Sequence, residues 1–406
     1  MCGVDTGRRY TAGVKKPPRT VKFNDIQWLR AVAALEVAIW HSDLVTKNFS
    51  NLSVASIDWY RPLGGLGVEV FFIVSGYVMC LRLPSYRSGA QFMYGRIARL
   101  APMYWIFTSL VIAAFLLNPS WRLNELELSA RTIVLSYLML PQQRYPILGV
   151  GWSLEIEMIF YATLAVALSF ASALMRRPGN AIVYPLVLVG LVGLVLGTGP
   201  VARVWDYHLL SPYLLLFAFG WAICNADRWQ MRSSWAKMLA ATALIWIVAL
   251  ATAESSDRYL VLRMAVAGGI FLLARILRPI FQRGCAINHV GSVLGDASYS
   301  LYLSHWFVLS GLGKIAGAVH PPVTFDWEIR LVAIGAAIVF ACACFRYAEA
   351  PLDRLLRPRV RRLDDTTTLP QPQSHSSYFV VPLEMGATTP NVTPPMQHDS
   401  EDGKWR

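Results

Sequence analysis

The sequence predicts an all-α, polytopic integral membrane protein with about ten transmembrane helices and both termini in the cytoplasm. Three observations predict it. The 406 residues are 55% hydrophobic and only 15% charged, with a mean hydropathy of +0.42, whereas soluble domains carry about 25% charged residues. The apolar residues fall in runs of roughly 18–22, the length that crosses a bilayer core as helix, and lipid leaves the backbone no hydrogen-bonding alternative. The Lys and Arg residues concentrate in the short loops between those runs, as the positive-inside rule requires.

Taken in order, the spans are 26–45, 64–82, 100–118, 151–174, 181–198, 209–226, 235–253, 259–277, 293–313 and 329–347. A further run at 132–140 is too short to span, and the basic loops agree. If it does not cross, the segments Arg82 to Arg99, Arg176–Arg177, Arg228–Arg232, Arg278–Arg283 and Arg354–Arg362 all fall on the side of the basic N-terminus. If it does cross, every loop from Arg176 onward changes sides and the bias fails. Residues 119–150 are therefore expected to form an extracytoplasmic loop with a short helix. Residues 1–24, with Arg8, Arg9, Lys15, Lys16, Arg19 and Lys22, read as a basic cytoplasmic tail, and 363–406, rich in Thr, Pro, Ser and Gln, as a disordered cytoplasmic tail.

Several classes are disfavoured. The net charge of +12 in a soluble chain would point to nucleic acid; here it belongs to topology and anionic headgroups. The six scattered cysteines have neither zinc-site spacing nor the look of a disulfide framework, and no metal site is expected. The N-terminus lacks signal-peptide features, and no internal repeat is evident.

Ionisable groups inside a bilayer are costly and face the bundle interior, so they are the functional candidates. The first span holds Arg30, Glu36 and His41. Arg30 and His41 are eleven residues apart, about three helical turns, and share a face across ~16 Å of rise. By position His41 is either an interfacial residue at the helix end or an acid–base group, since an imidazole takes protons near neutral pH. Glu69 lies in the first turns of the second span, either snorkelling or paired with an arginine, or at the site. Arg96 and Arg99 on one helix face are topology anchors or phosphate grips, for which guanidinium is suited. Glu155 and Glu157 are two residues apart and point to nearly opposite faces, so at most one of them lines a shared interior site. His305, in the ninth span, is either a satisfied structural histidine or part of the site. In the expected topology His41, Glu69, Glu157 and His305 lie toward the extracytoplasmic side, with Arg30, Arg96 and Arg99 toward the cytoplasm.

These segments, in this order, resemble the acyltransferase 3 family of bacterial membrane proteins, which includes sugar O-acetyltransferases and exopolysaccharide-production proteins. The resemblance is carried by Leu29-Arg30-Ala31 through His41, Gly67-Val68-Glu69 through Ser75-Gly76, Arg96 through Trp105, Trp152-Ser153-Leu154 with Glu157, Ser298 through His305, and Glu349-Ala350-Pro351. It spans about residues 24–357, so that 25–357 reads as one membrane acyltransferase domain. Glu157-Met158-Ile159-Phe160-Tyr161 is similar to the exopolysaccharide-type version of its motif. The resemblance implies acyl-CoA, usually acetyl-CoA, as co-substrate and a carbohydrate hydroxyl as acceptor. It implies His41 as the key catalytic group, general base or acyl carrier, and an important Arg30. Glu69, Glu157 and His305 are then candidate partners of His41, and Arg30, Arg96 and Arg99 candidate ligands of the CoA phosphates. Glu36 and Glu155 depart from the family pattern. The expected location is the bacterial inner membrane. Two other functions would also use many helices and buried charges: a transporter or flippase of a lipid-linked saccharide, and a non-catalytic assembly protein of a polysaccharide machine.

Overall fold

The computed structural model describes residues 23–46, 63–118, 128–142, 144–170, 180–196, 208–228, 258–282 and 286–356. The described residues are helices joined by turns, with no strand among them. The expected span 235–253, most of the basic N-terminal segment and the C-terminal tail 363–406 lie outside them.

The helices are α1 (Asn24–Trp40), α2 (Asp43–Thr46), α3 (Leu66–Arg82), α4 (Gly89–Leu117), α5 (Ala130–Tyr137), α6 (Trp152–Phe170), α7 (Val183–Leu196), α8 (Leu214–Arg228), α9 (Arg258–Ile276), α10 (Arg278–Gln282), α11 (Ala286–Asp296), α12 (Ser298–Val319), α13 (Asp326–Cys344) and α14 (Ala350–Leu356). Among the described residues five helical stretches are long and apolar enough to cross a membrane: 66–85, 89–117, 149–170, 259–276 and 323–356. Two shorter apolar helices cover 183–195 and 214–227. α1, with Arg30 and Glu36, and α12, with His305, are 17 and 22 residues long.

Four boundaries differ from expectation. The first span breaks at Trp40, and His41 is the capping residue beyond it. The third helix begins at Gly89 rather than at 100, because Ser88 Oγ accepts from the Gln91 amide and caps it there; Pro102 is inside the helix, so Arg96 and Arg99 are helical residues. The ninth span is two helices, α11 and α12, separated at Ala297. The tenth continues through a wide turn at Phe345–Glu349 into α14. The short helix expected at 132–140 is present as the eight residues of α5, about 12 Å long.

The bundle is built round α3. It packs on α8, α1 and α9, while α12 packs on α13, α1 and α2, and α4 on α6. The α3–α8 crossing is close because both helices present glycine: a Cβ on Gly76 would fall 2.1 Å from the Phe217 carbonyl oxygen, and one on Gly220 2.0 Å from that of Ile73. The α1–α3 crossing has a different device. Glu36 accepts hydrogen bonds from the Gly65 and Gly67 amides at 3.2 and 2.6 Å, so its carboxylate caps the N-terminus of α3, where the helix dipole favours an anion. That accounts for a glutamate in the apolar second half of α1.

Two further buried arginines are held by carboxylates. Arg275 binds Asp25 and Asp227, tying α9 to α1 and α8, with Tyr77 donating to the same Asp227 at 2.9 Å. The fully buried Arg330 binds Asp326, Ser42 and Thr46, fixing α2 against α13.

Candidate active site

His41 and His305 meet. His305 is fully buried about two turns into α12, and its Nε2 lies 3.2 Å from His41 Nδ1. The two rings are 5.2 Å apart centre to centre, and Trp306 stands edge-on to His41 at 5.0 Å. α1 delivers His41 by ending one residue before it; the freed backbone turns into α2, which α12 and α13 hold.

The hydrogen-bond network assigns the neutral tautomers. His305 Nδ1 is 3.0 Å from the Leu301 carbonyl oxygen, which only accepts, so Nδ1 carries the proton and Nε2 holds the lone pair. His41 Nδ1 is likewise 3.0 Å from the Val37 carbonyl oxygen, so it carries a proton shared between that oxygen and His305 Nε2. Among the described residues this leaves His41 Nε2 as an uncommitted lone pair. The ring is oriented by two acceptors on one nitrogen and basic at the other, the arrangement a general base or a nucleophile needs.

The carboxylates stand elsewhere. Glu157 accepts from Ser75 at 2.6 Å and Tyr161 at 2.5 Å. Glu69, 1% exposed, accepts from Arg263 Nε at 2.8 Å through Oε1. Neither hydrogen-bonds His41 or His305. Glu155 faces the other way, taking a hydrogen bond from Gln142 at 2.9 Å and pairing with His208 at 2.8 Å. Gln142 and the Ile147 amide both donate to Ser136, so Glu155 pins the segment carrying α5 onto α6.

The arginines gather at a second level. Arg99 pairs with Glu349 at 2.5 Å, and Glu349 also accepts from Ser300 at 2.5 Å. Tyr299 donates to the Leu100 carbonyl at 2.7 Å. Arg30 donates to Gln27, which donates to Asp296, and the charges of Arg99, Glu349, Asp296 and Glu157 act on it. Arg96 donates to the Tyr86 hydroxyl at 2.9 Å and lies within about 6 Å of the rings of Tyr86, Phe92 and Tyr161, while its Nε has no partner among the described residues.

Three helices run between the levels in register. α12 climbs from Tyr299, beside Arg99, through Tyr302 to His305, six residues or ~9 Å later. α6 descends from Ser153, which shares a 2.7 Å hydrogen bond with Tyr302, through Glu157 to Tyr161 beside Arg96. α1 passes from Arg30 to His41. The bundle thus holds an arginine level and a histidine level, with Glu157 and Tyr302 between them. Arg263, Tyr302, Ser153, Glu349 and Asp296 are site neighbours absent from the sequence-derived candidates; Arg263, as a charge within the apolar stretch 259–277, carried a usable signal. Among the described residues no group of three or more His, Cys, Asp or Glu side chains is placed to ligate a metal.

A family model described as an acyltransferase domain matches residues 23–346. The chain is 29% identical over 323 residues to the exopolysaccharide production protein ExoZ of Rhizobium meliloti (strain 1021), covering 74% of this chain and 92% of that protein. It is 25% identical over 318 residues to a protein of Acidianus two-tailed virus named "Putative acetyltransferase ORF330", covering 75% of this chain and 89% of that protein. No solved structure matches the chain.

Proposed function

This chain belongs to the acyltransferase 3 family and is an acyl-transferring enzyme with membrane-length apolar helices, and from that premise we propose that it moves an acyl group, acetyl in the first instance, from acyl-CoA to a hydroxyl of a surface carbohydrate or its precursor, with His41 as general base. The observation that carries the reading is the His41–His305 hydrogen bond, which leaves His41 Nε2 free, with an arginine level at the other end of the same helices.

The donor enters from the arginine level. Its phosphates are met by Arg96, whose Nε has no partner among the described residues, and by Arg30, with Arg99 and its Glu349 partner fixing α4 against the end of α13. The pantetheine arm runs past Glu157 and Tyr302 and brings the thioester to His41. The acceptor hydroxyl gives its proton to His41 Nε2 as its oxygen bonds to the thioester carbon. The carbonyl re-forms as the carbon–sulfur bond breaks, and the CoA sulfur leaves with the proton that His41 returns. His305 Nε2 accepts from His41 Nδ1–H throughout and stabilises the imidazolium while it exists. An N-acyl-imidazole route would use the same His41 nitrogen and would leave a trappable acyl-enzyme.

In the same reading the protein has ten spans, both termini in the cytoplasm and a place in a bacterial inner membrane, supported by the basic loops sharing one side. The name of the Rhizobium relative supports a polysaccharide acceptor, and the acyl-transferring family weighs against the transporter and assembly readings. Membranes supplied with radiolabelled acetyl-CoA and a glycan pool test the proposal: label passes to glycan with the wild type and not with His41→Ala. Equal transfer by both, or transfer by neither, overturns it.

A further inference from the structure

Glu69 has one oxygen on Arg263 and another, Oε2, that is buried with no hydrogen-bond partner among the described residues. A buried carboxylate oxygen without a donor is costly, and such an atom in a native site fits a donor supplied by a ligand. Its surroundings define that donor. The Arg263 side chain, 22% exposed, also reaches the Tyr213 hydroxyl. Tyr213 in turn meets the half-buried Trp152 ring at 5.6 Å. Glu69 acts electrostatically on Tyr302, and the Tyr302 ring is 6.2 Å from that of His305. The group therefore adjoins Tyr302, which stands between the two levels about one turn of α12 from His305.

We propose that Glu69, Arg263, Tyr213 and Trp152 form the subsite that holds the acceptor, a pyranose ring with one hydroxyl donating to Glu69 Oε2 and another accepting from Arg263. A pyranose matches the group in three respects. Its hydroxyls both donate and accept, which an acceptor-only carboxylate oxygen beside a donor-only guanidinium requires. Its axial C–H face suits the apolar surface of an indole. Bonds to charged partners are the strong ones in a site that excludes water. Glu69 thereby becomes an acceptor-positioning residue. The inference rests on the acyl-transfer reading for its placement, while its binding test does not need transfer to occur.

Isothermal titration of the full chain in nanodiscs, without acyl-CoA, uses the p-nitrophenyl β-glycosides of glucose, galactose, mannose and glucuronic acid as probes. The wild type binds at least one; Glu69→Gln and Arg263→Gln weaken it tenfold or more, and Tyr213→Phe and Trp152→Leu less. Where transfer is measurable, the same variants raise the KM for the glycoside and leave the KM for acetyl-CoA unchanged. A wild type that binds none of the four overturns the subsite. So does a rise in the acetyl-CoA KM, which would put a pantetheine amide on Glu69 Oε2. If Arg263→Gln fails to fold, the proposal is decided by Tyr213→Phe and Trp152→Leu, and unchanged glycoside binding in both overturns it. Binding without transfer leaves the subsite standing and overturns the reaction instead.

Discussion

The two levels of the bundle are built on opposite principles. At the arginine level charge is met by charge: Arg99 with Glu349, and Arg30 through Gln27 with Asp296. At the histidine level two imidazoles meet, and what holds them is backbone carbonyl, from Val37 and Leu301. The first is suited to anions and holds helices together. The second leaves one ring nitrogen uncommitted, which chemistry requires and stability does not. In the proposed reading these two levels, about six helical residues apart on α12, separate binding from reaction.

Substitutions break that contrast in graded ways. The largest effect falls on His41: replacing it with Ala removes the base, and general acid–base catalysis contributes about 10²- to 10⁴-fold, so transfer should drop by that much in steady-state assays while the melting temperature stays near the wild-type value. Next is Glu349→Gln. Breaking a buried ion pair from one side costs about 3–5 kcal/mol, so the protein should melt markedly earlier; adding Arg99→Gln should recover part of the loss, and a double variant less stable than Glu349→Gln would show that the pair is not the reason. His305→Phe keeps the ring volume but removes the acceptor for His41 Nδ1. A hydrogen bond to a group that becomes charged is worth about 1.5–3 kcal/mol, so kcat should fall roughly ten- to a hundredfold with little change in the acyl-CoA KM. The smallest effect belongs to Arg96→Lys, which keeps the charge and loses the planar fork; the acyl-CoA KM should rise several-fold with kcat preserved.

Much of this architecture was legible in the chain because lipid is an undemanding grammar: long apolar runs must be helices, and intramembrane charges must have a reason. His41 and His305 were each visible, but their contact joins positions 264 residues apart, and no spacing rule reaches that far. Glu69 and Arg263 show the same limit. Each is an odd charge in an apolar run, and only the α3–α9 packing reveals that they are one pair. The helix breaks at His41 and Ala297 have no proline to announce them, and the small and polar residues beside them, Ser42-Asp43 and Gly295-Asp296, are weaker signals. Glu36 and Glu155 stood out as departures, and the fold gives them structural partners: Glu36 caps α3, and Glu155 pins the segment around Gln142.

The division of labour between the levels is tested most directly by measuring the acetyl-CoA dissociation constant and the single-turnover transfer rate on the same preparations of wild type, His41→Ala and Arg96→Gln. The account predicts a crossed pattern: His41→Ala binds acetyl-CoA like the wild type and transfers it about a hundredfold or more slower, whereas Arg96→Gln binds it weakly and transfers normally once saturated. A His41→Ala variant that loses donor binding as severely as Arg96→Gln, or that still transfers at the wild-type rate, would contradict it.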